Sequence, residues 1–215
     1  MGAELEERVI ALVGDVVASR EIEQRVAFDQ TLLRVLRGLS DRNPGILSPY
    51  TLIGDEIQAV FGSADSLFSD AVSILSAIHP ERMRFSFGVG TLFTPINPDQ
   101  ATEMDGPAFH HARDGVNELK QSHYLLHLTG EEIPHLRLMQ QILFFVSHHM
   151  DTWNENRIRT LVMLRRKLPV KEIAAELEIS EPAVYKTIRV GALQVVMSLF
   201  AEVEGVINQS LSDRP

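Results

Sequence analysis

The sequence contains no cysteine, which removes disulfides, thiolate zinc sites and cysteine nucleophiles together. It also lacks any uninterrupted apolar stretch of membrane-spanning length. Its first residues, Met1 to Glu7, carry acids where a secretory leader would carry bases ahead of an apolar segment. A cytoplasmic chain with no membrane partner is expected. Positive charge is scarce as well: 20 Lys and Arg against 29 Asp and Glu give a formal −9, which argues against a protein that coats nucleic acid over its whole surface. What is present is an ordinary core-forming composition, 45% hydrophobic over 215 residues, enough for a medium domain and a smaller second one.

The charge is unevenly spread. Between Arg157 and Gly191 eight basic residues face four acidic ones, a net +4, so the remainder carries −13. An acidic body with a basic C-terminal module is the division this implies.

Val9 to Val17 is a continuous apolar strand interrupted only by Gly14 and Asp15, the pattern of a strand covered on both faces. Ser19 can cap a helix from about Arg20 to Leu39, with Ile22, Val26, Leu32, Leu33, Leu36 and Leu39 on one broad face. Leu52 to Phe61, L-I-G-D-E-I-Q-A-V-F, predicts a hairpin carrying Asp55 and Glu56 at its tip. A helix over about 66–78 follows, then an alternating strand over 84–91. Asp105-Gly106-Pro107 opens a helix to about Gln121, and Tyr124 to Leu128 makes a short strand. From Pro134 the pattern is wholly helical, with helices over about 135–153 and 156–168.

The expected fold is thus α/β over residues 1–130, with helices mainly on one face of one sheet, followed by an all-α unit over 131–215. If the strands bearing Asp15 and Asp55 are neighbours, the two carboxylates face each other at a sheet edge and can share a divalent cation. Backbone N–H groups near Ser19 and Arg20 could meet a phosphate, although Glu21 and Glu23 would compete with it.

A central strand ending in Asp15, a long helix and then G-D-E-I-Q-A-V-F on a hairpin resemble the palm-type, ferredoxin-like fold of class III nucleotidyl cyclases and GGDEF cyclases. The resemblance implies Asp15 and Asp55 as metal ligands with Glu56 as a possible third, magnesium as the cofactor, and a nucleotide ligand contacted by Ser19 and Arg20. Those cyclases place Asn and Arg on a later helix. Here that region reads D-G-P-A-F-H-H-A-R-D-G-V-N, leaving Arg113 as the candidate catalytic cation and Asn117 in the wrong order. Neither His110 and His111 nor His148 and His149 form an i, i+4 ligand pair. Across a longer span, A-L-V-G-D-V-V-A-S-R, G-D-E-I-Q-A-V-F, F-G-V-G and D-G-P-A-F-H-H-A-R together are similar to the SatD family of bacterial proteins, over roughly Val9 to Gln121. That family brings no established reaction with it.

Lys171 to Arg189, K-E-I-A-A-E-L-E-I-S-E-P-A-V-Y-K-T-I-R, spaces its apolar residues as helix, short turn and second helix. Ser180 caps the second helix and Pro182 sits in its first turn. The stretch resembles the helix-turn-helix of sigma-factor region 4 and response-regulator output domains. Its expected contacts to duplex DNA are Tyr185, Lys186 and Arg189, assisted by Arg165, Arg166 and Lys167 on the preceding helix. Two basic residues on the second helix make weak contact per protomer, so a homodimer is expected. The last helix, 192 to about 210, either closes the bundle or pairs with a second copy.

Three functions fit these residues. The first is a DNA-binding transcriptional regulator with a sensory palm-like domain. The second is a metal-dependent nucleotidyl cyclase or transferase with an appended interaction module, and the third is a scaffold.

Overall fold

A computed structural model describes residues 8–212. Its centre is β1 (Val9–Val16), buried along its whole length. β1 runs antiparallel to both neighbours, β3 (Glu56–Phe61) and β4 (Met83–Gly90). β2 (Ile46–Ile53) pairs with β3, and β5 (Leu126–Gly130) lies parallel to β4, giving the order β2-β3-β1-β4-β5. The first four strands and their two connecting helices follow the ferredoxin-like β-α-β-β-α-β path. β2 begins six residues before the expected hairpin and contains Pro49, which an edge strand tolerates because its outer N–H groups have no ladder partner.

Alternation along β1 sends Ile10, Leu12 and Val16 to one face and Val9, Ala11 and Val13 to the other. The first face is covered by α1 (Arg25–Ser40), through Phe28, Leu32, Leu36 and Leu39, and by α2 (Leu67–Ile78). The second face is covered by α3 (Pro107–Lys120), through Ala108, Phe109, Ala112 and Val116. α3 comes so close that a Cβ at Gly88 would lie 2.1 Å from the Ala108 carbonyl oxygen, so no other residue fits there. Most of the helical mass therefore lies on one face, as expected.

The helix expected from Arg20 begins later. Ser19–Glu21 form a single 3-10 turn after Ala18 at φ 51°, Ile22 is extended, and α1 starts at Arg25 with Gln24 at its N-cap. Val26 and Leu33, expected on its inner face, are exposed.

Beyond β5 come α4 (Leu136–Met150), α5 (Glu155–Arg165), α6 (Val170–Glu176), α7 (Glu181–Val190) and α8 (Leu193–Ser212). Their apolar residues join the cluster beneath α1 and α2 without a break. Phe68 of α2 stacks on Phe200 of α8, with ring centroids 4.6 Å apart and planes 9° apart. Val196, Phe200, Val203 and Ile207 are all buried, so the apolar stripe of α8 is occupied inside the chain. Among the described residues no single helix is long and apolar enough to cross a membrane.

Candidate functional site

The acids singled out in the sequence gather at one end of the sheet. The β2–β3 turn is Gly54-Asp55, with Gly54 at φ 65°, and the Val16 N–H donates to the Asp55 carbonyl at 3.0 Å. The register pairs Asp15 with Glu56 on one side and with Arg84 on the other. Asp55 is not the cross-strand partner of Asp15, because it occupies the turn itself.

Position 15 continues the α3-facing set of β1, and this decides what meets its carboxylate. Arg84 Nη1 donates to Asp15 Oδ2 at 2.9 Å, and Lys120 Nζ, from the last turn of α3, reaches Oδ1 at 2.9 Å. Asp15 is 7% exposed, so both contacts act in a poorly hydrated place. Asp55 has a separate partner. The Ser19 hydroxyl donates to its Oδ2 at 2.7 Å and holds the carboxyl below its usual range, helped by its own backbone and by the charges of Arg25 and Lys120, while burial pulls the other way. Arg25 ties the turn down by donating to the Gly54 carbonyl at 2.8 Å. Glu56 accepts from Gln58 Nε2 at 2.6 Å.

Three acids are thus neighbours in the fold, yet each is engaged by different protein donors. A divalent cation bound through carboxylates needs their free oxygen lone pairs. Here both Asp15 oxygens already accept from cations, and the described residues contain no group of three or more His, Asp or Glu side chains able to hold a metal. In this arrangement the donor set does not fit a resident magnesium ion.

Ser19 does not cap a helix and instead bonds to Asp55, while Arg20 is exposed at the end of the 3-10 turn. With no long helix starting there, the phosphate-facing N–H groups expected beside them are missing. Arg113 is not at the acids either. It lies 3.9 Å from Asp105, which also pairs with His110 at 2.9 Å, and its guanidinium sits over the Phe109 ring. The α3 cation that does reach the acids, Lys120, is seven residues further on, on the same helical face and about 10 Å along the axis. Sequence reasoning missed Lys120, although its i+7 spacing from Arg113 was available. A third cluster, in which His127 Nε2 meets Glu118 at 3.0 Å, lies beside Ser86 under α3. Ser86 is wholly buried, out of reach of a substrate.

The other candidate surface is α7. Ser180 caps it, its hydroxyl accepting from the Ala183 N–H at 3.3 Å, and Pro182 lies in the first turn. Val184 and Ile188 face inward against Ile173, Ala174 and Leu177 of the α6 region. Tyr185, Lys186 and Arg189 face outward, exposed and without an ion pair among the described residues. Arg166 and Lys167 are exposed after α5.

Arg165 is not part of that surface. Its side chain, 11% exposed, donates to Glu204 Oε1 at 2.7 Å and to the Ser69 hydroxyl, with its guanidinium over Phe200. Helical phase turns it towards α2 and α8, so it braces the C-terminal helices on the α/β part. Burial pushes the Glu204 carboxyl up to about 7 against the pull of Arg165, and pushes nearby Asp70 up to about 6 against hydrogen bonds from Asn43 and Tyr50.

The fold and these surfaces define an α/β protein with a ferredoxin-like sheet and a C-terminal helix-turn-helix arrangement. The chain belongs to the SatD family, whose model matches residues 9–199. No curated protein matches the sequence. Among solved structures, the chain is similar to a bacterial light-regulated adenylyl cyclase, at 16% identity and a TM-score of 0.42, over 57% of this chain and 43% of that one. It is also similar to a regulator of polyketide synthase expression from Bifidobacterium adolescentis, at 14% identity and a TM-score of 0.31, over 98% of this chain and 82% of that one. The chain thus spans less than half of the cyclase structure, and likeness at this level says nothing of what it binds or does.

Proposed function

We propose that this SatD-family chain is a DNA-binding transcriptional regulator, with α6 and α7 as its helix-turn-helix and the α/β part as the platform or sensor that carries it. The observation behind this reading is the outward row Tyr185, Lys186 and Arg189 on a helix with a fixed start, left without acidic partners in a chain of net −9. A helix presented in this way can enter a major groove, its polar side chains reaching phosphates and base edges. Lys186 and Arg189 neutralise few phosphates, so a homodimer binding two half-sites is part of the proposal.

Fluorescence anisotropy with duplex DNA across a salt series tests it. Replacing Lys186 and Arg189 together by Ala should weaken binding and reduce the log–log salt slope by about 2, near 0.9 for each lost phosphate contact. Unchanged affinity and slope in the double variant, or no duplex binding by the wild type at low salt, would end this reading.

The alternative, a magnesium-dependent nucleotidyl cyclase or transferase, draws on the meeting of Asp15, Asp55 and Glu56 at one sheet end. It requires Asp15 to give up Arg84 and Lys120 to a metal. Nucleotide turnover lost in Asp55→Ala would favour it.

A further inference from the structure

We propose that the groove between α1, α2 and α5 is a binding site for a small ligand carrying several phosphate charges, gripped by Arg34, Arg42 and Arg166. This proposal stands apart from the acidic sheet end and from the α7 surface.

The groove has two lobes, of about 350 and 410 Å³, that share Leu39, Arg42, Ser73, Val162 and Arg166 in their walls. Each lobe has the size of a small-molecule site. Leu39 and Val162 supply an apolar wall, while the charge is almost all of one sign. Five arginines line the two lobes, at positions 34, 42, 159, 165 and 166. Two of them are committed to acids, Arg159 to Glu155 and Glu176, and Arg165 to Glu204. Arg34, Arg42 and Arg166 are exposed and make no ion pair among the described residues. The acid lining one lobe, Asp70, has its Oδ2 held by Asn43 and the Tyr50 hydroxyl.

Three unmatched guanidinium groups converging on one concavity are unexpected in a chain with nine more acids than bases, since nearby carboxylates would be the default partners. A guanidinium presents parallel N–H donors that match phosphate oxygens, and several around a groove suit a polyanion better than a single charge. α2 adds hydroxyls at Ser66, Ser69, Ser73 and Ser76, a helical spacing that sets them along one face, and all four line the lobes. The arginines come from α1, the turn after it and the end of α5. A ligand held by all three therefore bridges the α/β part and the first helix of the C-terminal unit, and its affinity depends on how those parts sit together.

The test is calorimetric titration of inorganic tripolyphosphate, with orthophosphate alongside, into the full chain at physiological salt. One-to-one binding of tripolyphosphate, weaker binding of orthophosphate and a loss of about tenfold or more in R42A/R166A are expected. The double variant Arg20→Ala with Arg137→Ala removes the same charge elsewhere on the surface and should bind as the wild type does. Equal loss in that control would mean general charge attraction and overturn the proposal, as would absence of wild-type binding up to millimolar tripolyphosphate. If R42A/R166A instead weakens duplex DNA while tripolyphosphate never binds, these arginines are DNA-backbone contacts and the small-ligand site is wrong. All substituted arginines are exposed, so unchanged circular dichroism and melting temperature are expected throughout.

Discussion

Arg84 and Arg165 differ from Arg34, Arg42, Arg166 and Arg189 in having a carboxylate of their own. Arg84 closes on Asp15 at the end of the sheet, and Arg165 closes on Glu204 between α5 and α8, both largely out of water. The second set is exposed and unmatched, in the groove or on α7. A buried cation whose partner is supplied within the chain acts on folding, because either charge alone would be stranded. An exposed cation without a partner adds little to folding and is free for an anion from outside. The comparison therefore separates arginines that hold the fold from arginines that can recognise something.

Several substitutions would break or sharpen that separation. Arg165→Ala should cost about 3–5 kcal/mol in chemical denaturation, because it strands Glu204. Pairing Arg165→Met with Glu204→Leu should recover most of that loss, a non-additivity that a double-mutant cycle reads directly. Asp15→Ala comes next, at about 2–3 kcal/mol, since Arg84 and Lys120 lose one shared partner and Lys120 is half exposed. If Asp15→Ala is neutral or stabilising, as removal of a repelling catalytic acid would be, the sheet end is a functional site and not a closed ion cluster. Ser180→Ala should cost about 1 kcal/mol by loss of the α7 cap. Arg34→Ala and Arg189→Ala should each change stability by under about 0.5 kcal/mol.

The same contrast has a pH signature. Glu204 and Asp70 hold protons more tightly in the folded chain, at about 7 and about 6, than in the unfolded one. The stability they contribute is complete below their unfolded values near pH 4 and is lost as pH rises through 6 and 7. The wild-type melting temperature should therefore fall between pH 5 and 7.5 more steeply than that of Glu204→Gln. An equal slope in both would remove Glu204 as the source.

Much of the α/β part is legible in the chain because its signals are local. The apolar run around Asp15, the Gly-Asp turn and the Pro107 helix start each depend on neighbours a few residues away, and the observed elements lie where they predict. Ser180 and Pro182 fix the start of α7 for the same reason. The late start of α1 was not legible. Ser19 is a good cap by composition, and only the approach of the β2–β3 turn offers its hydroxyl the Asp55 carboxylate in place of a helix N–H.

The sequence by itself determined which residues form the ferredoxin-like path, that two acids arrive at one end of it, and that a capped, basic helix follows. Only the tertiary structure decided who neutralises those acids and which arginines are left over. Arg84 lies 69 residues from Asp15, Lys120 lies 105 residues from it, and Arg165 finds Glu204 39 residues on. Charge pairing at those separations is set by strand register and helix docking, which bring together side chains that no local spacing relates.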